Sequence, residues 1–267
     1  MIDGFIEYLR YNKGYSENTL QAYAKGLHKI AAYAKGVDSS VRWSTLTKEM
    51  IDTWVRQECE AGAAASSIKL TISALRTFYK TAFAMGAKIG NPARYVATPK
   101  RAFKLPNTIP AVDLRLAYLA QKDGVTKAIL AILFETGIRL QEMIDIRPED
   151  IDTTNKRIKI HGKGKKERFV YYGAETEEHL EELVLDDMSQ RDIRQRVYDA
   201  LKPYTDAKQV SPHAIRHTAA CEMLNNGMAI ETVSKILGHQ SVQTTEIYAQ
   251  ISNGTATRQY SQAGPRL

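Results

Sequence analysis

Apolar residues recur every three or four positions through most of the first 90 residues, which is the spacing of one face of an α-helix. In the second such stretch Leu20, Tyr23, Leu27 and Ile30 share a face, and Ser16 precedes it as a candidate N-cap. The pattern predicts helices around residues 5–9 and over 17–36, 46–60 and 66–85. Residues 1–86 are therefore expected to form a four-helix unit.

A basic, proline-containing stretch follows this unit. Pro92, Pro99, Pro106 and Pro110 bar a regular helix there because proline lacks a backbone N–H and clashes with the preceding turn. The stretch also carries four cationic side chains: Arg94, Lys100, Arg101 and Lys104. We therefore predict an N-terminal helical domain over residues 1–90, a linker over 91–110 and a second domain over 111–267.

The second domain is predicted to be mainly α-helical with one small β element. A strand pattern around a glycine-rich basic tip at 162–165 predicts a β-hairpin. The acidic stretch 175–187 is expected to be a solvated helix face. Helices are predicted over 112–121, 126–135, 138–146, 190–202, 212–226, 230–237 and 241–250.

The amino-acid composition limits the classes of protein to which the chain can belong. Apolar residues make up 43% of the 267 positions, enough for packed cores, while no apolar run has the length of a membrane span. Cys59 and Cys221 lie far apart and lack metal-site spacing. The net charge of +7 is concentrated in residues 1–108, with sixteen Lys and Arg against eight Asp and Glu. We expect a cytoplasmic protein whose first domain binds a polyanion.

Cleavage of a phosphodiester gives one chemical interpretation of the second domain. The reaction needs a nucleophile, cations to neutralise the phosphate oxygens, and groups that move protons. Tyr248 is a candidate nucleophile, Arg139 and Arg216 are candidate phosphate ligands, and His213 and His239 can exchange protons near neutral pH. The spacing of His213 and Arg216 places both on one helical face, although this pair alone is a weak motif.

Four stretches resemble, in order, the motifs of the tyrosine recombinases, also called phage-type integrases: ETGIRLQEM, IHGKGKKERFVYYG, SPHAIRHTAACEML and LGHQSVQTTEIYAQI. The similarity covers nearly the whole chain. The chain's size and its basic helical front end are most similar to the Xer branch. The resemblance implies a SAM-like DNA-binding fold for the four-helix unit and an α-rich catalytic domain with a small β-sheet.

The resemblance also implies a role for each matching residue. Tyr248 is expected to attack the DNA, joining its 3′-phosphate and freeing a 5′-hydroxyl. Arg139 and Arg216 are expected to bind the non-bridging oxygens of the scissile phosphate. His213 is expected to act as the base, and His239 to donate a hydrogen bond to the phosphate.

Two further side chains acquire roles in the same way, and some alternatives stay open. Lys163, in the hairpin tip, is expected to protonate the leaving 5′-oxygen, with Lys165 and Lys166 as alternatives. Glu142 is expected to orient a catalytic cation, the alternative being a simple ion pair within its helix. Tyr260 lies further downstream and lacks the preceding LGH sequence.

The implied function is site-specific recombination of double-stranded DNA without a metal ion, ATP or another cofactor. The task is either resolution of chromosome or plasmid dimers, or integration and excision of a mobile element. The active form is expected to be a homotetramer on paired sites, and the need for a partner recombinase or a regulatory protein stays open. The alternatives are a monomeric enzyme that relaxes DNA by strand swivelling, and a DNA-binding protein that does not cleave.

Overall fold

The computed structural model of the chain describes residues 1–100, 106–162, 167–183 and 188–238. The chain divides into two compact units, Met1–Phe103 and Lys104–Leu267. The division falls inside the predicted linker. Among the described residues, no helix combines the length and apolarity needed to cross a membrane.

The first unit contains four described α-helices around a single apolar core. They are α1 (Ile2–Lys13), α2 (Glu17–Val37), α3 (Lys48–Glu60) and α4 (Ala65–Ala84). Leu27, Ile72 and Leu75 are fully buried between them, which accounts for the helical spacing of apolar residues in the sequence. The ends of α2, α3 and α4 lie within two residues of the predicted ones. The first helix is longer than the predicted residues 5–9, and it ends at Gly14, which takes the left-handed conformation.

The first residues of the predicted linker pack against this unit. Ala93 and Val96 are buried in its core. Arg76, on α4, donates from Nε to the carbonyl oxygen of Ala93 at 2.9 Å and from Nη2 to that of Val96 at 2.7 Å. One guanidinium thus satisfies two backbone acceptors and fixes this stretch of chain to α4.

The second unit is built around one helix that is buried on nearly all sides. Its described helices are α5 (Ala111–Ala120), α6 (Gly124–Thr136), α7 (Leu140–Ile144), α8 (Ala174–Glu178), α9 (Gln190–Leu201), α10 (Pro212–Asn225) and α11 (Ile230–Leu237). The central helix is α6, with Ala128 to Leu133 all buried, and it packs against α5, α8, α9 and α10. It ends at Gly137, immediately before Ile138 and Arg139.

A small antiparallel sheet completes the described part of the second unit. Its strands are β1 (Ile151–Asp152), β2 (Arg157–His161) and β3 (Glu167–Tyr171), in the order β1-β2-β3. Ile158 faces Val170 across the β2–β3 pair, and Ile160 faces Arg168. The predicted mainly α fold with a small sheet is confirmed.

Three local expectations differ from the structure. The helix predicted over 138–146 is shorter, Leu140–Ile144, because Ile138 packs in the core and Arg139 takes an extended backbone conformation before the first turn. The acidic stretch is not one solvated helix: α8 ends at Glu178, a short 3₁₀ turn follows at Glu181–Leu183, and His179 and Leu183 are buried. The strand β1 was not predicted. The helix predicted over 241–250 lies outside the described residues.

The crossing of α2 and α4 brings their backbones together at Gly26. A Cβ at this position would lie 3.0 Å from Oγ1 and 3.2 Å from Cα of Thr71. At Gly36, in the same helix, a Cβ would meet no described atom within 4 Å.

We expect alanine to have different effects at these two glycines of α2. Alanine is favoured over glycine in a helix by about 1 kcal/mol, so Gly36→Ala should leave the thermal unfolding temperature equal or higher. Gly26→Ala should lower it, because the added methyl group presses on the backbone of α4. Equal changes in unfolding temperature for the two variants, measured by circular dichroism, would contradict a close approach of α2 and α4 at Gly26.

Candidate active site

Arg216 is a buried arginine in the first turns of α10. The helix begins with Pro212 in its first turn, and the Ser211 hydroxyl accepts a hydrogen bond from the backbone N–H of Ala214 at 3.2 Å. The Arg216 side chain is only 2% exposed. Its Nη1 donates to the carbonyl oxygen of Gly137 at 2.5 Å, and its Nη2 donates to that of Leu237 at 2.7 Å. These bonds fix the plane of the guanidinium.

Arg139 lies at the N-terminus of α7 and is about half exposed. Its Nη1 donates to Oε1 of Glu142 at 2.8 Å, and its Nη2 lies 3.3 Å from the carbonyl oxygen of Gly238. The carboxylate of Glu142 also accepts the backbone N–H of Arg139 at 2.8 Å, which is the reciprocal bond of a capping box. The carboxylate of Glu142 therefore both caps α7 and orients the guanidinium of Arg139.

Glu142 also binds a second arginine, which was not predicted from the sequence. Arg168, on β3, donates from Nη1 and Nη2 to the two carboxylate oxygens of Glu142, at 2.9 and 2.8 Å. Burial by itself would raise the pKa of Glu142. The hydrogen bonds and positive charges of Arg168 and Arg139 outweigh burial and hold that pKa at about 2.

The strand pattern contained a signal for Arg168. Successive side chains of a strand face opposite sides, so Arg168 and Val170 lie on one face of β3. Val170 is fully buried, and Arg168 has a side-chain exposure of only 14%. A charged residue on the same strand face as buried apolar residues requires a partner of opposite charge.

Among the described residues, three arginines meet at the C-terminal end of α11. Carbonyl groups in the last turn of a helix lack intrahelical partners and carry partial negative charge. Each of three consecutive carbonyl groups here accepts from a different guanidinium: Ile236 from Arg168, Leu237 from Arg216, and Gly238 from Arg139.

His213 lies one helical turn before Arg216 on the same helix. Its ring contacts the ring of His217, with centroids 4.2 Å apart and planes at 63°. Partial burial lowers the pKa of His213, and the positive charges of Arg216 and Arg139 lower it further. The imidazole is therefore neutral at pH 7 and can accept a proton.

The other expected site residues, Lys163, His239 and Tyr248, lie outside the described part of the chain. So do Lys165 and Lys166, the alternatives to Lys163, and Tyr260, which was not expected to be the nucleophile. His239 directly follows Gly238 in the sequence. Within the described ranges, no group of three or more His, Cys, Asp or Glu side chains is arranged to hold a metal ion. The positive charge of the described site comes from its arginines.

Two glycines with left-handed backbone lie beside this arginine cluster. Gly137 and Gly238 end α6 and α11 with φ values of +62° and +64°, a conformation that costs other residues about 1–2 kcal/mol. A Cβ at Gly137 would lie 2.7 Å from Cδ2 of Leu237. A Cβ at Gly238 would lie within 2.9–3.0 Å of three guanidinium atoms of Arg168.

Comparison with known protein families identifies the family of the chain. The phage integrase family matches residues 114–254, and the N-terminal SAM-like domain of phage integrases matches residues 2–86. The chain belongs to the phage integrase family. The predicted tyrosine recombinase, an enzyme of site-specific DNA recombination, is confirmed at this level.

Individual proteins are similar over most or all of their length. The tyrosine recombinase XerD of Staphylococcus haemolyticus (strain JCSC1435) is 29% identical, with 100% of this chain and 99% of the relative covered. The solved structure of XerH recombinase bound to its palindromic difH substrate has a TM-score of 0.75 at 17% identity, covering 98% of this chain and 84% of that one. The Tn1549 transposon integrase in complex with transposon right end DNA has a TM-score of 0.72 at 18% identity, covering 99% of both chains.

We expect Glu142→Gln to destabilise this integrase-family protein at neutral pH. The folded-state pKa of about 2 lies below the ordinary 4.5, so ionised Glu142 stabilises the fold above about pH 5. This contribution, of about 3 kcal/mol, is lost as the pH falls towards 2. Urea unfolding at a series of pH values from 7 to 3 should show a difference in unfolding free energy between variant and wild type, and this difference should narrow as the pH falls.

The control for this measurement is Glu149→Gln. Glu149 is an exposed glutamate whose carboxylate lies 3.8 Å from Arg147, so its removal should change stability little. If the difference in unfolding free energy between Glu142→Gln and wild type is absent at pH 7, or constant over the whole pH range, the pairing of Glu142 with Arg139 and Arg168 is contradicted.

We also expect Gly238→Ala to reduce the rate of DNA cleavage far more than Gly227→Ala. Both glycines have positive φ, so each variant bears backbone strain of about 1–2 kcal/mol. Only at position 238 does the new methyl group also meet Arg168, since at Gly227 it meets no described atom within 4 Å. Single-turnover cleavage assays with both variants would test this, and equal losses would show that strain alone is responsible.

Proposed function

We propose that this protein cuts and rejoins one DNA strand at a time through a covalent bond between Tyr248 and a DNA 3′-phosphate. The observation that supports this most strongly is the cluster of Arg139, Arg216 and His213. Two guanidinium groups and a neutral imidazole are the groups that attack on a phosphodiester requires beside its nucleophile. Both arginines contact the end of α11, and the segment carrying Tyr248 follows that helix in the sequence.

The proposed cleavage step conserves atoms and charge. The phenolic oxygen of Tyr248 forms a bond to the scissile phosphorus, and the bond from phosphorus to the 5′-oxygen breaks. The phenolic proton passes to His213, whose lowered pKa keeps it ready to accept. Lys163 gives a proton to the departing 5′-oxygen, which leaves as a hydroxyl.

Arg139 and Arg216 would neutralise the charge that develops on the non-bridging oxygens. A donor fixed before the reaction costs no reorganisation, and the loss of one such donor lowers a rate by about 10²–10³-fold. Arg216 is fixed by two backbone carbonyl groups, and Arg139 by Glu142. His239 would add a hydrogen bond to the same phosphate.

Rejoining would use the same groups in reverse. The phosphotyrosyl ester retains the energy of the original phosphodiester, so a 5′-hydroxyl from a second strand can attack it without ATP or a metal ion. Exchange between two duplexes requires four strand cuts, and we propose four copies of this chain on two paired sites. The outcome would be resolution of chromosome or plasmid dimers, or integration and excision of a mobile element.

Double-stranded DNA is the proposed substrate for three reasons. The solved structures of XerH recombinase and Tn1549 integrase, which share this fold, contain DNA. Residues 1–108 carry twice as many cationic as anionic side chains, and cationic side chains bind a phosphate backbone. The described arginine cluster in the second unit provides a site for a single phosphate. We place the reaction in the cytoplasm, where chromosomal and plasmid DNA would be available.

Covalent capture of DNA tests the mechanism. The target site is first recovered by sequencing host genomic fragments that stay attached to the wild-type protein after denaturation. On a nicked duplex carrying that site, wild type and Tyr260→Phe should form a denaturant-resistant adduct, and Tyr248→Phe should form none. The adduct should form in EDTA at a rate that added magnesium leaves unchanged.

Two results would overturn the proposal. An adduct that persists in Tyr248→Phe would remove the assignment of the nucleophile. An adduct that disappears in EDTA and returns with magnesium would overturn the metal-free reaction.

A further inference from the structure

Arg168 is a charged residue in a position of β3 that faces the core of the second unit. Ile160 lies opposite it on β2, and the next inward residue of β3, Val170, is fully buried. With a side-chain exposure of only 14%, Arg168 loses most of its contact with water. Such burial costs several kcal/mol unless the guanidinium is paired and hydrogen-bonded. Its contacts should therefore explain why the chain has an arginine here.

The guanidinium of Arg168 binds two separate elements. Its Nη1 and Nη2 form a fork with both oxygens of Glu142 on α7, at 2.9 and 2.8 Å. Its Nε donates to the carbonyl oxygen of Ile236 in the last turn of α11, at 2.7 Å. All three nitrogen atoms are thus engaged, and β3, α7 and the end of α11 are joined through one side chain.

The contact with Glu142 extends to Arg139. Glu142 accepts from the backbone N–H of Arg139 and from its Nη1, both at 2.8 Å. Arg139 in turn lies 3.3 Å from the carbonyl oxygen of Gly238, two residues beyond the Ile236 carbonyl group that Arg168 holds. Arg168, Glu142, Arg139 and the end of α11 therefore form a closed ring of contacts.

We propose that Arg168 is a positioning residue for the DNA cleavage reaction, acting on the phosphate ligand Arg139 through Glu142. This inference depends on the proposed function. Without Arg168, the Glu142 carboxylate keeps a single cation and can rotate, and Arg139 loses its fixed partner. A displacement of about 1 Å in a catalytic group can lower a rate by about 10²-fold.

An arginine suits this role because its planar guanidinium supplies three donor nitrogens in a fixed arrangement. A lysine carries the same charge but presents a single nitrogen, so it cannot bind both carboxylate oxygens and a carbonyl group in fork geometry. Arg168→Lys therefore preserves the net charge and removes the geometry. The matched control is Arg157→Lys on the neighbouring strand β2, where Arg157 pairs with Asp152 at 2.8 Å and both side chains are more exposed than that of Arg168.

Single-turnover cleavage of two nicked duplexes tests the proposal. One duplex carries the natural scissile phosphodiester, and the other a methylphosphonate, in which a methyl group replaces a charged oxygen and lessens the need for Arg139. On the phosphodiester we expect Arg168→Lys to react about 10²-fold more slowly than wild type, and Arg157→Lys to react at the wild-type rate. On the methylphosphonate the deficit of Arg168→Lys should shrink at least tenfold, as should that of the reference variant Arg139→Gln.

A double-mutant cycle identifies the route from Arg168 to Arg139. If Arg168 acts through Glu142, then Arg168→Lys combined with Glu142→Gln should be no slower than the slower of the two single variants. If Arg168→Lys fails to fold, Glu142→Gln on the two duplexes provides the test, because it breaks the next contact in the same chain and should show the same dependence on substrate charge.

The outcomes separate this inference from the proposed function. A wild-type protein that forms no Tyr248-dependent adduct would overturn the proposed function, and with it a positioning role in cleavage. A reactive wild type with an equally reactive Arg168→Lys would overturn the inference alone. Equal deficits on both duplexes, or additive effects in the cycle, would show that Arg168 only supports the fold.

Discussion

The described part of the candidate active site depends on the pairing of arginine side chains with the last carbonyl groups of α11. Consecutive carbonyl oxygens of Ile236, Leu237 and Gly238 accept from Arg168, Arg216 and Arg139, which come from three distant parts of the sequence. A helix C-terminus carries about half a negative charge, so cations there are stabilised. This single contact region joins β3, α10 and the start of α7, and it fixes the chain immediately before His239.

The glycines at the ends of α6 and α11 are required by packing in the same region. A Cβ at Gly238 would meet the guanidinium of Arg168, and a Cβ at Gly137, whose carbonyl group accepts from Arg216, would meet the side chain of Leu237. The left-handed backbone also ends each helix at the right residue. Packing against Leu237 at position 137 and against Arg168 at position 238 thus adds to the requirement of the turn itself.

Local patterns in the sequence predicted most of the helices, and long-range contacts account for what they missed. The ends of α10 and α11 were predicted to within one residue because Ser211 and Gly238 mark them. The strand β1 was missed because its two residues are too few to show alternation. Arg139, His213 and Arg216 were identified from the needs of phosphodiester chemistry and from the family resemblance, whereas Arg168 was overlooked. Its partner Glu142 lies 26 residues away, and no local pattern shows that pairing.

The balance of charge links phosphate binding to proton transfer. Three guanidinium groups face one carboxylate in the described site, and the partial charge of a helix end offsets only about half of another cation. Positive charge therefore remains in excess at the surface near His213. After burial, that charge is the main reason for the lowered pKa of His213. In the proposed mechanism a phosphodiester is attracted by the same excess that keeps the imidazole unprotonated, so one arrangement of arginines would serve both substrate binding and proton acceptance by His213.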